Sequence, residues 1–243
     1  MERLRIFQKG FNFSQDGPGN RLVYHLQGCQ LRCPWCSNPE GLRPEGGTPC
    51  ETEEIVAEAL RSRAMLFDGG GVTLTGGEPT LQFDAVLELL TRLRENGIHT
   101  ALETNGLCRR LPELFLVLDY LMVDCKHYDP VLHERVTKGS NLPALENIRA
   151  AVRTGKATAI RIPLINGFNA GEREAEGFAA LFESLGVRGK ASIELLPYHE
   201  YGKDKYARLG LPYTMTPEAK VPPEMRRRME DILRSRGFTV VRS

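Results

Sequence analysis

Hydrophobic positions along this chain switch between two spacings, short runs or alternation and a three-to-four repeat. Arg21–Leu26, Val72–Thr75, Thr100–Glu103, Tyr120–Lys126, Thr158–Ile165, Ser192–Pro197 and Phe238–Val241 are short apolar or β-branched runs and predict strands. Thr52–Phe67 sets Ile55, Ala59 and Leu60 on one helical face, with Glu53 and Glu54 in the first turn where the helix dipole favours acids. Gln82–Asn96 aligns Phe83, Val86, Leu87, Leu90 and Leu93, with Gly97 as its stop. Leu142–Thr154 before Gly155, Glu172–Leu185, and Pro223–Arg236 before Gly237 predict further helices, and Pro112–Leu118 a short one. Strands separated by helix-length segments predict an α/β fold with a parallel sheet and right-handed crossovers. No repeat or low-complexity linker interrupts the pattern, so a single domain over residues 1–243 is expected.

Composition narrows the function classes. The chain is 41% hydrophobic, enough for a substantial core, and carries 32 basic against 31 acidic residues for a net charge of +1. No field of one sign dominates, which argues against nucleic-acid or membrane-surface binding. The first ten residues lack the apolar stretch of a signal peptide. No uncharged apolar run approaches the ~18 residues of a spanning helix. A reduced, cytoplasmic setting is expected.

The chemistry is concentrated in Gly28–Asn38. Cys29, Cys33 and Cys36 form a C-x3-C-x2-C run that offers three thiolates in one loop. A [4Fe–4S] cube usually takes four cysteines, so three leave one iron open to a ligand that is not protein. Zinc is an alternative if His25 or Cys50 closes the set. A disulfide would leave one of the three odd.

Other polar residues fall at the C-terminal ends of the predicted strands, where barrels place their functional groups. Gly76 and Gly77 permit close backbone approach, and Glu78 follows them. Asp124 and Lys126 alternate with Val123 and Cys125, which puts them on one strand face. An acid and a base there are either paired with each other or bound to a ligand. Arg161 sits inside an apolar strand and needs an anion, either a ligand's or that of an acidic neighbour. His199 follows Ser192–Pro197 and reads as a ligand contact or a satisfied strand-end histidine. Trp35 shields the loop or lies against a ligand, and Asn38 is a hydrogen-bonding group or a turn residue before Pro39. Cys50, Cys108 and Cys125 are isolated and receive no role.

The cysteine run followed by Gly76-Gly77-Glu78-Pro79 resembles the radical S-adenosylmethionine (SAM) enzymes. Asp16-Gly17-Pro18-Gly19 with Arg21, Gly69–Thr73, Glu103–Gly106, Met122–Lys126, Arg161 and Leu195–Glu200 narrow the resemblance to the glycyl-radical-enzyme activating enzymes. It covers nearly the whole chain, and in length and layout the formate-lyase branch is nearest. The resemblance implies a partial (β/α)6 barrel whose open side admits a loop of a large protein. It implies that Cys29, Cys33 and Cys36 hold one [4Fe–4S] cluster and that SAM binds at the open iron. Reductive cleavage of SAM then yields a 5′-deoxyadenosyl radical, which removes a hydrogen atom from a glycine Cα of the partner.

By the same resemblance Glu78 takes the methionyl ammonium, while Asp124 and Lys126 lie at the methionyl and ribose end. Trp35, Asn38, Gly76, Gly77, Arg161 and His199 complete the SAM contacts. Glu103 and the carbonyls of Thr104 and Met122 match a monovalent cation site, Na+ or K+, with Glu in place of the family's Asp. Asp16, Gly17, Pro18 and Gly19 border the entry of the substrate loop. A flavodoxin or ferredoxin donor and a monomeric state are expected. Only Cys50 lies between Cys36 and Gly76, so no ferredoxin-like insert with auxiliary clusters is present. Two competing readings remain at this stage: a radical SAM enzyme acting on a small molecule or peptide, and a non-enzymatic zinc or iron–sulfur protein.

Overall fold

A computed structural model describes residues 3–13 and 15–241. Its packing resolves two compact units, one of Met1–Gln30, Glu40–Thr104 and Cys108–Met122, the other of Leu31–Pro39, Asn105–Leu107 and Val123–Ser243.

The first unit is built on β1 (Arg3–Phe13), β2 (Asn20–Leu26), β3 (Thr48–Glu51), β4 (Gly71–Gly76) and β5 (His99–Thr104). β1 runs antiparallel to both β2 and β3. β2, β4 and β5 are parallel, with Leu22 opposite Val72, Leu26 opposite Gly76, and Leu74 opposite Leu102. Helices α1 (Thr52–Arg61) and α2 (Phe83–Glu95) provide the crossovers. A capping box opens α1: Glu51 and Glu54 each reach back to the other's backbone. Tyr24, Leu26, Ile55, Leu74, Leu89, Leu90 and Leu93 form the fully buried core of this unit. β2 and β4 are buried on both faces, as parallel strands under helices must be.

β6 (Tyr120–Asp124) begins in the first unit and ends in the second. The second unit continues with α3 (Pro130–Thr137), α4 (Leu142–Thr154), β7 (Thr158–Leu164), α5 (Glu172–Leu185), β8 (Ser192–Pro197), α6 (Lys203–Arg208), α7 (Pro223–Ser235) and β9 (Thr239–Val241). β7, β8 and β9 are parallel neighbours. Phe178 and Phe182 of α5 stack at 5.9 Å, and Phe182 meets Phe238 edge to face at 6.0 Å. Aromatic pairs of this geometry add to what their burial alone contributes.

Several sequence expectations are corrected. Thr52–Phe67 is not one helix: α1 stops at Arg61 and a 3-10 turn, Arg63–Met65, follows. Leu60 is 38% exposed and does not join the buried face, which is completed by Val56. Leu87 is half-buried, and Ala85 and Leu89 share the core face instead. Pro112–Leu118 becomes a 3-10 helix over Leu111–Leu116 with Leu116 turned to solvent. The strand expected over Tyr120–Lys126 ends at Asp124. The antiparallel β1, the short β3, and helices α3 and α6 were not anticipated.

Candidate active site

Cys29, Cys33 and Cys36 are half-buried, and none of them is in a disulfide. Within the second unit the loop is held from several sides. The Arg32 N–H donates to the Thr137 carbonyl at 2.8 Å, and the Cys36 N–H to the Cys33 carbonyl at 3.1 Å, closing a turn between two thiols. Lys205 Nζ donates to Asn38 Oδ1 at 2.8 Å, so the Asn38 amide is engaged by protein. Gly202 abuts the same loop: a Cβ there would lie 2.5 Å from the Cys36 carbonyl oxygen. Tyr206 is buried, and its phenol is pushed up to about 12, first by burial and then by the Cys36 and Cys33 thiolates. Trp35 lies 5.2 Å from the Phe168 ring and packs on Ile165, Tyr198 and Ala219, which gives it a shielding contact.

Gly76-Gly77-Glu78 ends β4 in the first unit. The two glycines are required by protein packing. A Cβ on Gly77 would sit 2.1 Å from the Gly28 carbonyl oxygen, and one on Gly76 2.4 Å from the Leu26 nitrogen. The Gly77 N–H donates to the Leu26 carbonyl at 2.9 Å and the Glu78 N–H to the Gly28 carbonyl at 2.7 Å. Backbone thus lies directly on the start of the cysteine loop. Glu78 is fully buried. Its Oε1 accepts from the Thr80 N–H at 3.0 Å, the Thr80 hydroxyl at 2.5 Å and the Thr104 hydroxyl at 2.7 Å. Three donors on one oxygen fix the orientation of this carboxylate.

Asp124 and Lys126 meet although they do not share a strand. Lys126 lies beyond the end of β6, and its ammonium bonds Asp124 Oδ2 at 2.5 Å, with the side chains 11% and 17% exposed. The turn that returns Lys126 is fixed by Asn169, which is fully buried and donates to the Lys126 and Pro163 carbonyls, each at 2.7 Å. Arg161 stands opposite Glu194 in the β7–β8 register, and its Nε donates to Glu194 Oε2 at 2.8 Å. The acidic neighbour that a buried arginine requires is therefore present. His199 is exposed and stacks on Tyr201 at 3.9 Å.

Glu103 accepts from the Thr75 hydroxyl at 2.7 Å, and Thr104 and Met122 of the same unit are buried. The Asp16–Gly19 loop is braced by Arg21, which is fully buried. Arg21 donates to the Thr73 hydroxyl at 2.6 Å and to the carbonyls of Pro18 and Val72 at 2.9 and 2.8 Å. Its guanidinium is lowered to about 10 by burial, partly offset by Asp16 and Asp119. Gly19 has φ +69°, and a Cβ there would meet the Gly70 nitrogen at 2.4 Å, so the loop demands glycine.

Sequence reasoning missed Lys205, Gly202, Tyr206 and Glu194. The last had a signal: an acid between Ile193 and Leu195 in an apolar strand is a buried partner in waiting. The first three stand in Tyr201-Gly-Lys-Asp-Lys-Tyr206, which carries no hydrophobic period long enough to predict a helix.

The model of the Radical SAM superfamily matches residues 23–177, more than half of the chain. The chain belongs to the radical SAM superfamily, and its α/β fold is that of these enzymes. A radical SAM methyltransferase from Sphaerobacter thermophilus superposes on 99% of this chain and 76% of its own with a TM-score of 0.68 at 22% identity. The pyruvate formate-lyase-activating enzyme of Streptococcus mutans is 35% identical over 220 residues, 86% of this chain and 82% of that one. The pyruvate formate-lyase 1-activating enzyme of Escherichia coli is 32% identical over 231 residues, 93% of each. Within the superfamily the chain is a glycyl-radical-enzyme activase, a radical SAM oxidoreductase with a [4Fe–4S] cluster and SAM.

The donor set of the loop suits a cluster: three thiols, none of them paired in a disulfide. Cys50, considered as a fourth ligand, instead donates from its thiol to Glu54 Oε2 at 3.3 Å. Among the described residues no helix is long and apolar enough to cross a membrane.

Proposed function

We propose that the glycyl radical enzyme activated by this chain is of the pyruvate formate-lyase type, and that the residues described above divide the work of holding SAM. The observation that carries the partner assignment is 32% identity to the Escherichia coli activase across 93% of both chains. That identity is spread over nearly the whole chain and is not confined to the cysteine loop.

When bound, the cluster and SAM supply an electron and the adenosyl radical that takes hydrogen from the partner's glycine. The chain's own residues bind, orient and exclude. Cys29, Cys33 and Cys36 supply three thiolates. Glu78 presents a carboxylate fixed by Thr80 and Thr104, suited to an ammonium. The Asp124–Lys126 pair offers both signs to a zwitterionic ligand, and each partner keeps its counter-charge while SAM is absent. Arg161, its charge balanced by Glu194, would take the SAM carboxylate or its ribose surroundings. Trp35 and Phe168 exclude water, and His199, stacked on Tyr201, offers a flat ring to the adenosyl group. Gly76 and Gly77 keep the backbone close to the cysteine loop, and Asn38 steadies that loop through Lys205.

Glu103 and the carbonyls of Thr104 and Met122 are oxygen donors of the kind that hold Na+ or K+. Asp16–Gly19, rigid on Arg21, is assigned to contact with the partner's glycine loop. A flavodoxin or ferredoxin donor, a monomeric state, a cytoplasmic location and a single catalytic domain over residues 1–243 belong to the same reading.

The test is to mix the anaerobically reconstituted protein, SAM and a low-potential reductant with a pyruvate formate-lyase. A glycyl-radical doublet in electron paramagnetic resonance (EPR), lost when the partner's radical glycine is replaced by alanine, is expected. SAM cleavage with no radical on the lyase, but with a radical on another glycyl radical enzyme, would overturn the partner assignment.

A further inference from the structure

We propose that Lys205 is a positioning residue that holds the cysteine loop and sets the reduction potential of the cluster bound there. The inference rests on the cluster assignment and on geometry within the second unit. Gly202, Lys205 and Tyr206 stand at i, i+3 and i+4, the spacing that places three residues on one helical face. Two of them meet the loop directly: Gly202 lies against the Cys36 carbonyl and Lys205 bonds Asn38, while Tyr206 is buried on the same face.

The helix is itself anchored at this end. The Lys203 N–H donates to the Glu200 carbonyl at 3.0 Å and the Tyr206 N–H to the Gly202 carbonyl at 3.0 Å. Tyr206 meets the Tyr213 ring at 5.1 Å, and the Tyr213 and Tyr198 hydroxyls share a hydrogen bond of 2.6 Å. Its other cations point elsewhere. Lys203 faces Glu200 at 3.9 Å and is 61% exposed, and Arg208 is exposed. Lys205 is half-buried and directed at the residue two places after Cys36.

An ammonium in that position has a consequence beyond packing. Reduction adds one negative charge to a centre already carrying thiolates. A cation close by, only partly screened by water, favours the reduced form and raises the potential. The hydrogen bond to Asn38 holds the loop; the charge sets the potential. The two roles separate by substitution, since glutamine can still donate to Asn38 but carries no charge.

The experiment is an EPR-monitored redox titration of the full chain, reconstituted anaerobically, for the wild type and for Lys205→Arg, Lys205→Gln and Lys205→Met. Lys205→Gln is expected to move the midpoint to a more negative potential while keeping wild-type iron content. Lys205→Met should move it likewise and lose iron faster to a chelator, and Lys205→Arg should keep the wild-type midpoint. Equal midpoints in all four proteins would overturn the proposal. If Lys205→Met fails to fold, Lys205→Gln decides the matter alone. Absence of any [4Fe–4S] signal in the wild type would overturn the cluster assignment and this role together. A wild-type cluster with unmoved variants would overturn this role only.

Discussion

Arg21 and Arg161 are both buried inside strands, one in each unit, and they are held in opposite ways. Arg21 makes its hydrogen bonds to neutral groups: a threonine hydroxyl and backbone carbonyls. Arg161 faces a carboxylate, Glu194, on the neighbouring strand. The first arrangement ties a loop to a sheet, with charge as a by-product of having five donors in a fixed fork. The second balances charge, and a balanced pair can share its cation with an incoming anion. Arg21 therefore braces the Asp16–Gly19 loop, while Arg161 is suited to a ligand.

The comparison can be broken most sharply at Glu194. Replacing it by leucine leaves Arg161 buried without its carboxylate, at a cost of about 3–5 kcal/mol. Adding Arg161→Met should recover most of that stability. Chemical denaturation of the single and double variants measures both, and a double variant no more stable than the single would refute the charge-balance reading. Arg21→Met should cost less, about 1–3 kcal/mol, because it strands buried acceptors but no charge. Arg21→Met should also loosen the Asp16–Gly19 loop, seen as faster amide exchange there, with SAM affinity unchanged. If SAM affinity falls instead, Arg21 is not merely a brace.

Asp124→Ala extends the comparison to a second ion pair. It should weaken SAM binding roughly 10- to 100-fold, the value of a hydrogen bond to a charged group, with iron content near wild type. Loss of iron with SAM affinity intact would make the pair structural. The smallest effect concerns the cysteines given no role. Burial, with the nearby Asp124 charge, pushes the Cys125 thiol up to about 12, and burial with Glu54 pushes Cys50 up to about 11. At pH 8 both stay protonated, so an alkylating agent should label them more slowly than Cys33 and Cys36 in the cluster-free protein. Equal labelling rates, read by mass spectrometry, would contradict those environments.

Much of this was legible in the sequence. β2, β4 and β7 read as apolar runs because they are buried on both faces, and the helices followed from their periodicity. The failures have physical causes. Leu66 and Phe67 extend the helical pattern of Thr52–Arg61, but the chain leaves the helix at Ser62. β1 mixes charged and exposed residues with a glycine, because only Leu4 and Ile6 are buried and Gln8–Phe11 are exposed at every position. Asp124 and Lys126 meet through a turn held by Asn169 and not through a shared strand face, which the alternation of the sequence could not show. Gly76 and Gly77 signal a close approach, and the structure supplies one such approach from the backbone of Leu26–Gly28. Pattern reports which residues are buried or unusual; the partner in three dimensions is what it leaves out.

The central claim is that three thiolates hold a cluster whose open iron takes SAM. EPR of the reconstituted, dithionite-reduced protein with and without SAM tests it most directly. The account predicts a [4Fe–4S]+ signal whose line shape changes on adding SAM and whose change is lost in Cys33→Ala together with the cluster. A cluster signal indifferent to SAM would contradict it.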